Sequence, residues 1–285
     1  MKKFIVLLLT AVLAVGLFCG CSASPSDDIV VISREDGSGT RGAFVELFGI
    51  EKENENGKKE DYTTLDADIT NSTSVMMTAV EGNENAIGYI SLGSLNDSVK
   101  GISINGVEAN IKNIKNGSYE ISRPFNIVTT SSLSAHAQSF IDFIMSSEGQ
   151  AVIEDSGYIP ALEKAQPFSG SNISGKVVIA GSSSVTPVME KLKEAYIAIN
   201  PNAEIEVQQS DSSTGVNMVV EGSCDIGMAS RTLKESEVSA GANETTIAND
   251  GIVVIVNNGN KVSDLSKEQV CAIYTGEILC WSEVR

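Results

Sequence analysis

Ser33-Arg34-Glu35-Asp36-Gly37-Ser38-Gly39-Thr40 puts a cation, a carboxylate and a Gly/Ser/Thr run directly behind the apolar stretch Ile29-Val30-Val31-Ile32. A buried strand followed by such a loop predicts a helix whose first-turn amides are free. Those amides, the positive end of the helix dipole and the adjacent guanidinium form the chemistry of oxyanion binding. The pattern recurs at Gly181-Ser182-Ser183-Ser184-Val185-Thr186-Pro187 and at Ser210-Asp211-Ser212-Ser213-Thr214-Gly215. Serine and glycine also make ordinary caps and turns. Three such loops in one chain, one of them carrying Arg34, favour an anion site.

Outward from these loops, short apolar runs alternate with helical patterns, which predicts an α/β fold. A helix over 42–48 follows the first loop. Strands are predicted at 85–90 and at Val177-Val178-Ile179-Ala180, and Asn105-Gly106 marks a type I′ hairpin within 102–107. Phe140-Ile141, Ile144-Met145 and Val152-Ile153 recur at helical spacing up to Gly157. Pro187 suits a first helical position, with Met189, Leu192, Tyr196 and Ile199 on one helix face. Phe168 to Gly175 reads as a flexible linker.

The first 20 residues read as an export signal: Lys2 and Lys3, then the apolar run Phe4 to Phe18, then Gly20-Cys21. Phe18-Cys19-Gly20-Cys21 resembles a bacterial lipobox, with Leu17 one place earlier than usual. Cys21 is therefore the expected lipidated residue, ordinary cleavage and release being the alternative, and 21–28 a polar tether. The formal charge of −17 becomes −19 without Lys2 and Lys3. Such an acidic field argues against nucleic acid or an anionic membrane surface as partner, while local dipoles still permit a small anion in a cleft. Cys224, Cys271 and Cys280 have no metal-site spacing, and a Cys271–Cys280 disulfide and buried single thiols both remain open. His136 is the only histidine and is expected in solvent. Neither GxSxG nor a Gly-Lys-Ser/Thr loop occurs, and neither an enzyme nor a cofactor or metal site is expected.

Taken together, 33–41, 85–91, 181–187, Asp225-Ile226-Gly227-Met228-Ala229-Ser230-Arg231, and Tyr274-Thr275-Gly276 with Trp281-Ser282 resemble the phosphate-binding proteins of bacterial high-affinity phosphate ABC transporters. The resemblance covers nearly the whole mature chain. It implies a two-lobed type II periplasmic-binding-protein fold with two hinge crossovers, phosphate held between the lobes, and an ABC permease as partner. By motif, Arg34 would pair with phosphate, and Ser38, Gly39, Thr40, Ser183, Ser184 and Ser212 would donate to it. Asp36 would accept a hydrogen bond from protonated phosphate and so penalise fully ionised sulfate. At 230, where some relatives have aspartate, this chain has Ser230, which would donate instead. Arg231 is open between a ligand group and an interlobe salt bridge.

The order of the pieces departs from the family: the Arg34 segment precedes the Gly181 segment. That order implies a circular permutation, with lobe II at 29–122 plus 257–285, lobe I at 123–160 plus 176–256, and 161–175 joining the family's usual ends. Crossovers are expected near Ser122-Arg123-Pro124 and Val256-Asn257. The rival account is one frame of a truncated or tandem gene, completed by a second copy as a swapped dimer. A monomer is expected, because each ligand segment occurs once.

Overall fold

The computed structural model describes residues 27–170 and 174–284; the expected export signal, Cys21 and residues 171–173 of the expected linker lie outside them. The first half runs β1 (Val30–Arg34), α1 (Gly39–Leu47), β2 (Glu51–Glu53), β3 (Lys59–Asp61), β4 (Asp68–Thr70), α2 (Thr73–Glu81), β5 (Ala86–Ser91), β6 (Lys100–Gly101), β7 (Ser103–Ile104) and α3 (Ile111–Lys115). Then come β8 (Ser122–Thr129), α4 (Ala135–Ile144), α5 (Ser147–Asp155), β9 (Ile159–Pro160), β10 (Gly175–Ser182), α6 (Thr186–Ile199), β11 (Ala203–Ser210) and α7 (Ser212–Val220). The chain closes with β12 (Ile226–Ala229), α8 (Glu235–Ser239), β13 (Asn243–Val256), β14 (Asp264–Leu265) and α9 (Lys267–Tyr274).

The main sheet has the order β11-β10-β12-β8-β13-β5-β1-β4, with β6 and β9 also paired to β13. Its two ends are parallel, β10 with β11 and β12, and β1 with β4 and β5. Parallel neighbours need crossover helices, so each end is a βα layer with strand ends aimed at helix starts. The antiparallel pair β8 and β13 joins them. Apolar side chains collect in two main cores, one around Phe44, Met76, Tyr89, Ile252 to Val256 and Tyr274, the other around Phe125, Phe140, Tyr196, Ile226 and Ile247.

One expected crossover falls elsewhere. β13 is a single strand of 14 residues whose early part pairs with β8, while Ile252 to Val256 pair with β5. Residues 252–256, expected in lobe I, therefore pack in the first core, and the passage between halves lies near Asp250-Gly251. An unbroken Ile/Val run carries no mark of the point at which its partner changes.

The predicted hairpin forms: Asn105 and Gly106 take φ of 53° and 75°, and Ile104 and Val107 exchange both backbone hydrogen bonds. The apolar pattern over 140–153 is two helices, because Ser146 caps α5 through its hydroxyl. Met189, Leu192 and Tyr196 are buried on α6, but Ile199, in its last turn, is 48% exposed. The expected linker is tied at both ends. The Phe168 ring packs edge-on against Phe143 and Tyr196, and Gly175 already belongs to β10. A Cβ on Gly175 would lie 2.3 Å from the His136 ring, so that histidine rests against the start of β10 instead of standing free in solvent. Cys271 and Cys280 form no disulfide; they and Cys224 are free thiols. At the far edge, Ile29 N donates to Leu279 O at 2.7 Å and Trp281 N to Asp27 O at 3.0 Å, so residues 27–29 and 279–281 lie side by side.

Candidate anion-binding site

Arg34 ends β1, and three aromatic rings hold that end in place. Phe44 stacks on Tyr89 with centroids 3.9 Å apart, the Tyr89 hydroxyl accepts from Arg34 N at 3.1 Å, and Tyr274 donates to Ile32 O at 3.1 Å. The Arg34 side chain, 2% exposed, reaches across the halves and donates through Nη2 to Ser183 Oγ at 3.0 Å. Its Nε and Nη2 also donate to the two carboxylate oxygens of Glu35 at 2.7 Å each. Glu35 thus balances the guanidinium in a fork geometry.

Around Ser183, helix starts from both halves converge. Thr40, in the first turn of α1, lies 2.8 Å from Ser184 Oγ and 3.5 Å from Ser230 Oγ. Ser212, which opens α7, accepts from Ser230 N at 3.1 Å, and its hydroxyl lies 3.4 Å from that of Ser230. Ser182, the last residue of β10, donates to Ser230 Oγ at 3.1 Å. Thr40, Ser182, Ser183, Ser184, Ser212 and Ser230 are all buried. Gly39 is required by close approach: a Cβ there would stand 2.5 Å from Ser212 Oγ and 2.7 Å from Ser230 Oγ. Ser38 is buried but spends its hydroxyl on capping α1, accepting from Arg41 N at 3.3 Å.

Two members of the cluster escaped the sequence reading. Thr73, which opens α2, sets its hydroxyl 3.3 Å from Ser184 Oγ and 3.5 Å from Ser183 Oγ. Asn71-Ser72-Thr73-Ser74 is another serine-rich helix start, so the same signal was present there. Arg123 on β8, with a side chain 2% exposed, donates through Nη2 to Thr40 Oγ1 at 3.0 Å. Nothing local to its sequence marks it.

Asp36 is not among these groups. Its side chain is 96% exposed and accepts from Arg41 Nη1 at 2.8 Å. The physical reason is competition between neighbours: Glu35 takes Arg34, while Arg41, also bonded to Asp61 and to the Arg34 carbonyl, draws Asp36 outward. We expect Asp36→Asn to leave phosphate affinity and phosphate-over-sulfate preference within about twofold of the starting protein in titration calorimetry, as for other exposed surface substitutions. Arg231 takes neither of its two expected roles. It forks onto Glu237 at 2.7 and 2.8 Å and donates to Ser213 Oγ at 3.0 Å, all within its own half.

The cluster is therefore a neutral shell of hydroxyls, each able to donate once and accept twice, backed by helix starts and two guanidiniums whose counter-charges are Glu35 and Asp250. Asp250 pairs with Arg123 at 3.4 Å, and burial pushes its carboxyl up to about 6 against the pull of that arginine. Its pKa in the unfolded chain is about 4. The folded protein therefore holds the extra proton between those values, and stability falls as pH rises through that window. Asp250→Asn is expected to remove this fall, read as a flatter change in denaturation midpoint from pH 4 to 6 than in the starting protein.

Such a shell fits a tetrahedral oxyanion enclosed by two halves. The PBP superfamily domain matches residues 22–148 and 167–284. Phosphate-binding protein PstS 2 of Streptococcus agalactiae is 55% identical over 292 residues, covering 100% of this chain and 99% of that one. The chain belongs to the PstS family of phosphate-binding proteins. A solved phosphate-binding protein of a phosphate ABC transporter from Streptococcus pneumoniae superposes with a TM-score of 0.71 at 45% identity, covering 90% of this chain and 100% of its own. The PstS of Staphylococcus haemolyticus is 36% identical over 120 residues, 40% of this chain and 38% of that one. The two-lobed α/β architecture of this PstS relative is thus that of a solved phosphate-binding protein.

Proposed function

We infer that this chain is the phosphate-binding protein of an ABC transporter, holding inorganic phosphate between its halves and passing it to a permease without chemical change. The observation that carries this reading is the convergence of Arg34, Thr40, Ser183, Ser184, Ser212 and Ser230 from both halves in one buried cluster. Gly39 lets the halves meet there, and Ser38 fixes the helix start behind it. The hydroxyls adapt to a partly protonated oxyanion because each accepts as readily as it donates. Ser230 supplies a hydroxyl where some relatives have a carboxylate, which makes the shell neutral where it meets the ligand.

Export and lipid attachment at Cys21 place the protein on the outer face of the cell membrane. Among the described residues no helix is long and apolar enough to cross a membrane. The segment order reads as a circular permutation within a monomer. Residues 27–29 and 279–281 lie side by side, where a family member in the usual order would run straight through. The end-to-end match to the S. agalactiae protein has this same order, whereas the match to the S. haemolyticus protein stops after 120 residues, as a collinear match does when two segments are exchanged. Titration calorimetry on protein recovered from the fully expressed chain tests the function. One-to-one phosphate uptake at micromolar or tighter dissociation constant, about −8 kcal/mol or better, is expected. No phosphate heat, or tighter sulfate than phosphate, would overturn the reading, and light scattering that shows only dimers would overturn the monomer.

A further inference from the structure

Arg123 lies outside the ligand set that the motifs assign, yet its guanidinium is buried against that set. Its Nη2 contact with Thr40 Oγ1, at 3.0 Å, is shorter than its 3.4 Å approach to Asp250 Oδ2. Nε and Nη1 are buried without a hydrogen-bond partner. An arginine kept only as half of a structural ion pair would fork onto its carboxylate; one left with two unsatisfied donors costs stability and calls for another role. It also lines a groove of about 560 Å³ between α1 and residues 231–234.

We propose that Arg123 is a positioning residue of the phosphate site, a guanidinium at the crossover strands that turns the Thr40 hydroxyl so that it donates toward the anion. The proposal rests on the phosphate reading above. Guanidinium only donates, so Thr40 Oγ1 must accept from it, which leaves the Thr40 proton for a different acceptor; Ser184 Oγ is within reach at 2.8 Å, and a bound anion would be another. Without that donor the hydroxyl is free to rotate a lone pair toward the ligand, which repels an anion. The arrangement draws on three elements. Arg123 stands opposite Asp250 in the register of β8 and β13, Asp250 Oδ1 accepts from Gly93 N at 3.4 Å, and Thr40 belongs to α1. The strands that pass between the halves therefore set the orientation of a ligand hydroxyl.

The test is a double-mutant cycle, with inorganic phosphate as ligand and protein recovered from the fully expressed chain. Arg123→Met combined with Asp250→Asn removes both charges together and leaves neither orphaned. This pair is expected to weaken phosphate binding about 10- to 100-fold while the melting temperature without phosphate moves only a few degrees. Thr40→Val alone should lose a similar factor. Added to the pair, it should cost no more than about threefold further, because the hydroxyl is already misoriented. Unchanged affinity in the pair variant, or losses that multiply in full, would overturn the proposal. If the pair variant fails to fold, Arg123→Lys decides. A point-charge ammonium on a shorter reach should weaken binding about threefold or more, and unchanged affinity would overturn the role. Absence of phosphate heat in the starting protein would overturn the function itself, a separate outcome.

Discussion

Arg34→Ala is expected to raise the phosphate dissociation constant by about 30- to 1,000-fold, a loss of about 2–4 kcal/mol. Arg34 is 2% exposed and donates to Ser183 across the halves, so its charge acts in a region that water screens poorly. The geometry adds a second term. With Arg34 gone, the Glu35 carboxylate, held at 2.7 Å by both of its oxygens, is left unbalanced beside the anion. Part of the loss is then repulsion, and Arg34→Ala with Glu35→Gln should recover a measurable fraction of it. Arg34→Lys should remain weak, because one ammonium does not hold Glu35 by two bonds and reach Ser183 as well. Titration calorimetry of the three variants separates these contributions. An unchanged dissociation constant in Arg34→Ala would remove the arginine from the site.

Why two arginines are needed follows from the charge of the chain. A formal charge of −17 surrounds a ligand that is itself an anion. Long-range attraction therefore contributes nothing favourable, and affinity must come from contacts inside the closed cluster, where screening is weakest. Glu35 and Asp250 cancel the formal charge of Arg34 and Arg123. The net pull on phosphate then comes from oriented donors, and that makes orientation, at Thr40 above all, a large lever.

Local features of the sequence were legible where physics is local. The Ile/Val run of β1, the helix starts at Gly39, Thr186 and Ser212, and the Asn105-Gly106 turn depend on residues a few places apart, and each formed. What depends on distant partners was not legible. Glu35 and Asp36 are adjacent acids, and only the positions of Arg41 and Asp61 decide which one faces Arg34. Ile252 to Val256 belong to the first core because β5 lies beside them, a pairing about 160 residues apart in sequence. Arg123 enters the site through Thr40, 83 residues away, with no motif around it. Thr73 could have been found, since the serine-rich start of α2 repeats the pattern of the other three loops.

Gly39→Val should abolish most binding although it removes no side chain that contacts the ligand. Even a single Cβ at 39 would stand 2.5 Å from Ser212 Oγ and 2.7 Å from Ser230 Oγ, both in the opposite half. Gly37 is under the same constraint, with Asp211 Oδ1 at 2.1 Å from its Cβ position, and its carbonyl accepts from Ser213 N at 3.2 Å across the halves. Valine at 39 therefore wedges the halves apart at the point where the hydroxyls converge. If closure is needed for tight binding, the apparent dissociation constant rises by the fraction of closed molecules lost, here at least about 100-fold. The glycine is the first residue of α1, not in a left-handed conformation, so the substitution carries little backbone strain of its own. The melting temperature without phosphate should hold nearly steady, and small-angle scattering should show a radius of gyration that no longer shrinks when phosphate is added. Gly39→Ala should fall between valine and the starting protein, because one methyl intrudes less than the branched valine side chain. Near-normal affinity in the valine variant would mean that the halves need not meet at Gly39 for phosphate to be held, and the clamp would have to be rebuilt around Arg34 and Ser183 alone.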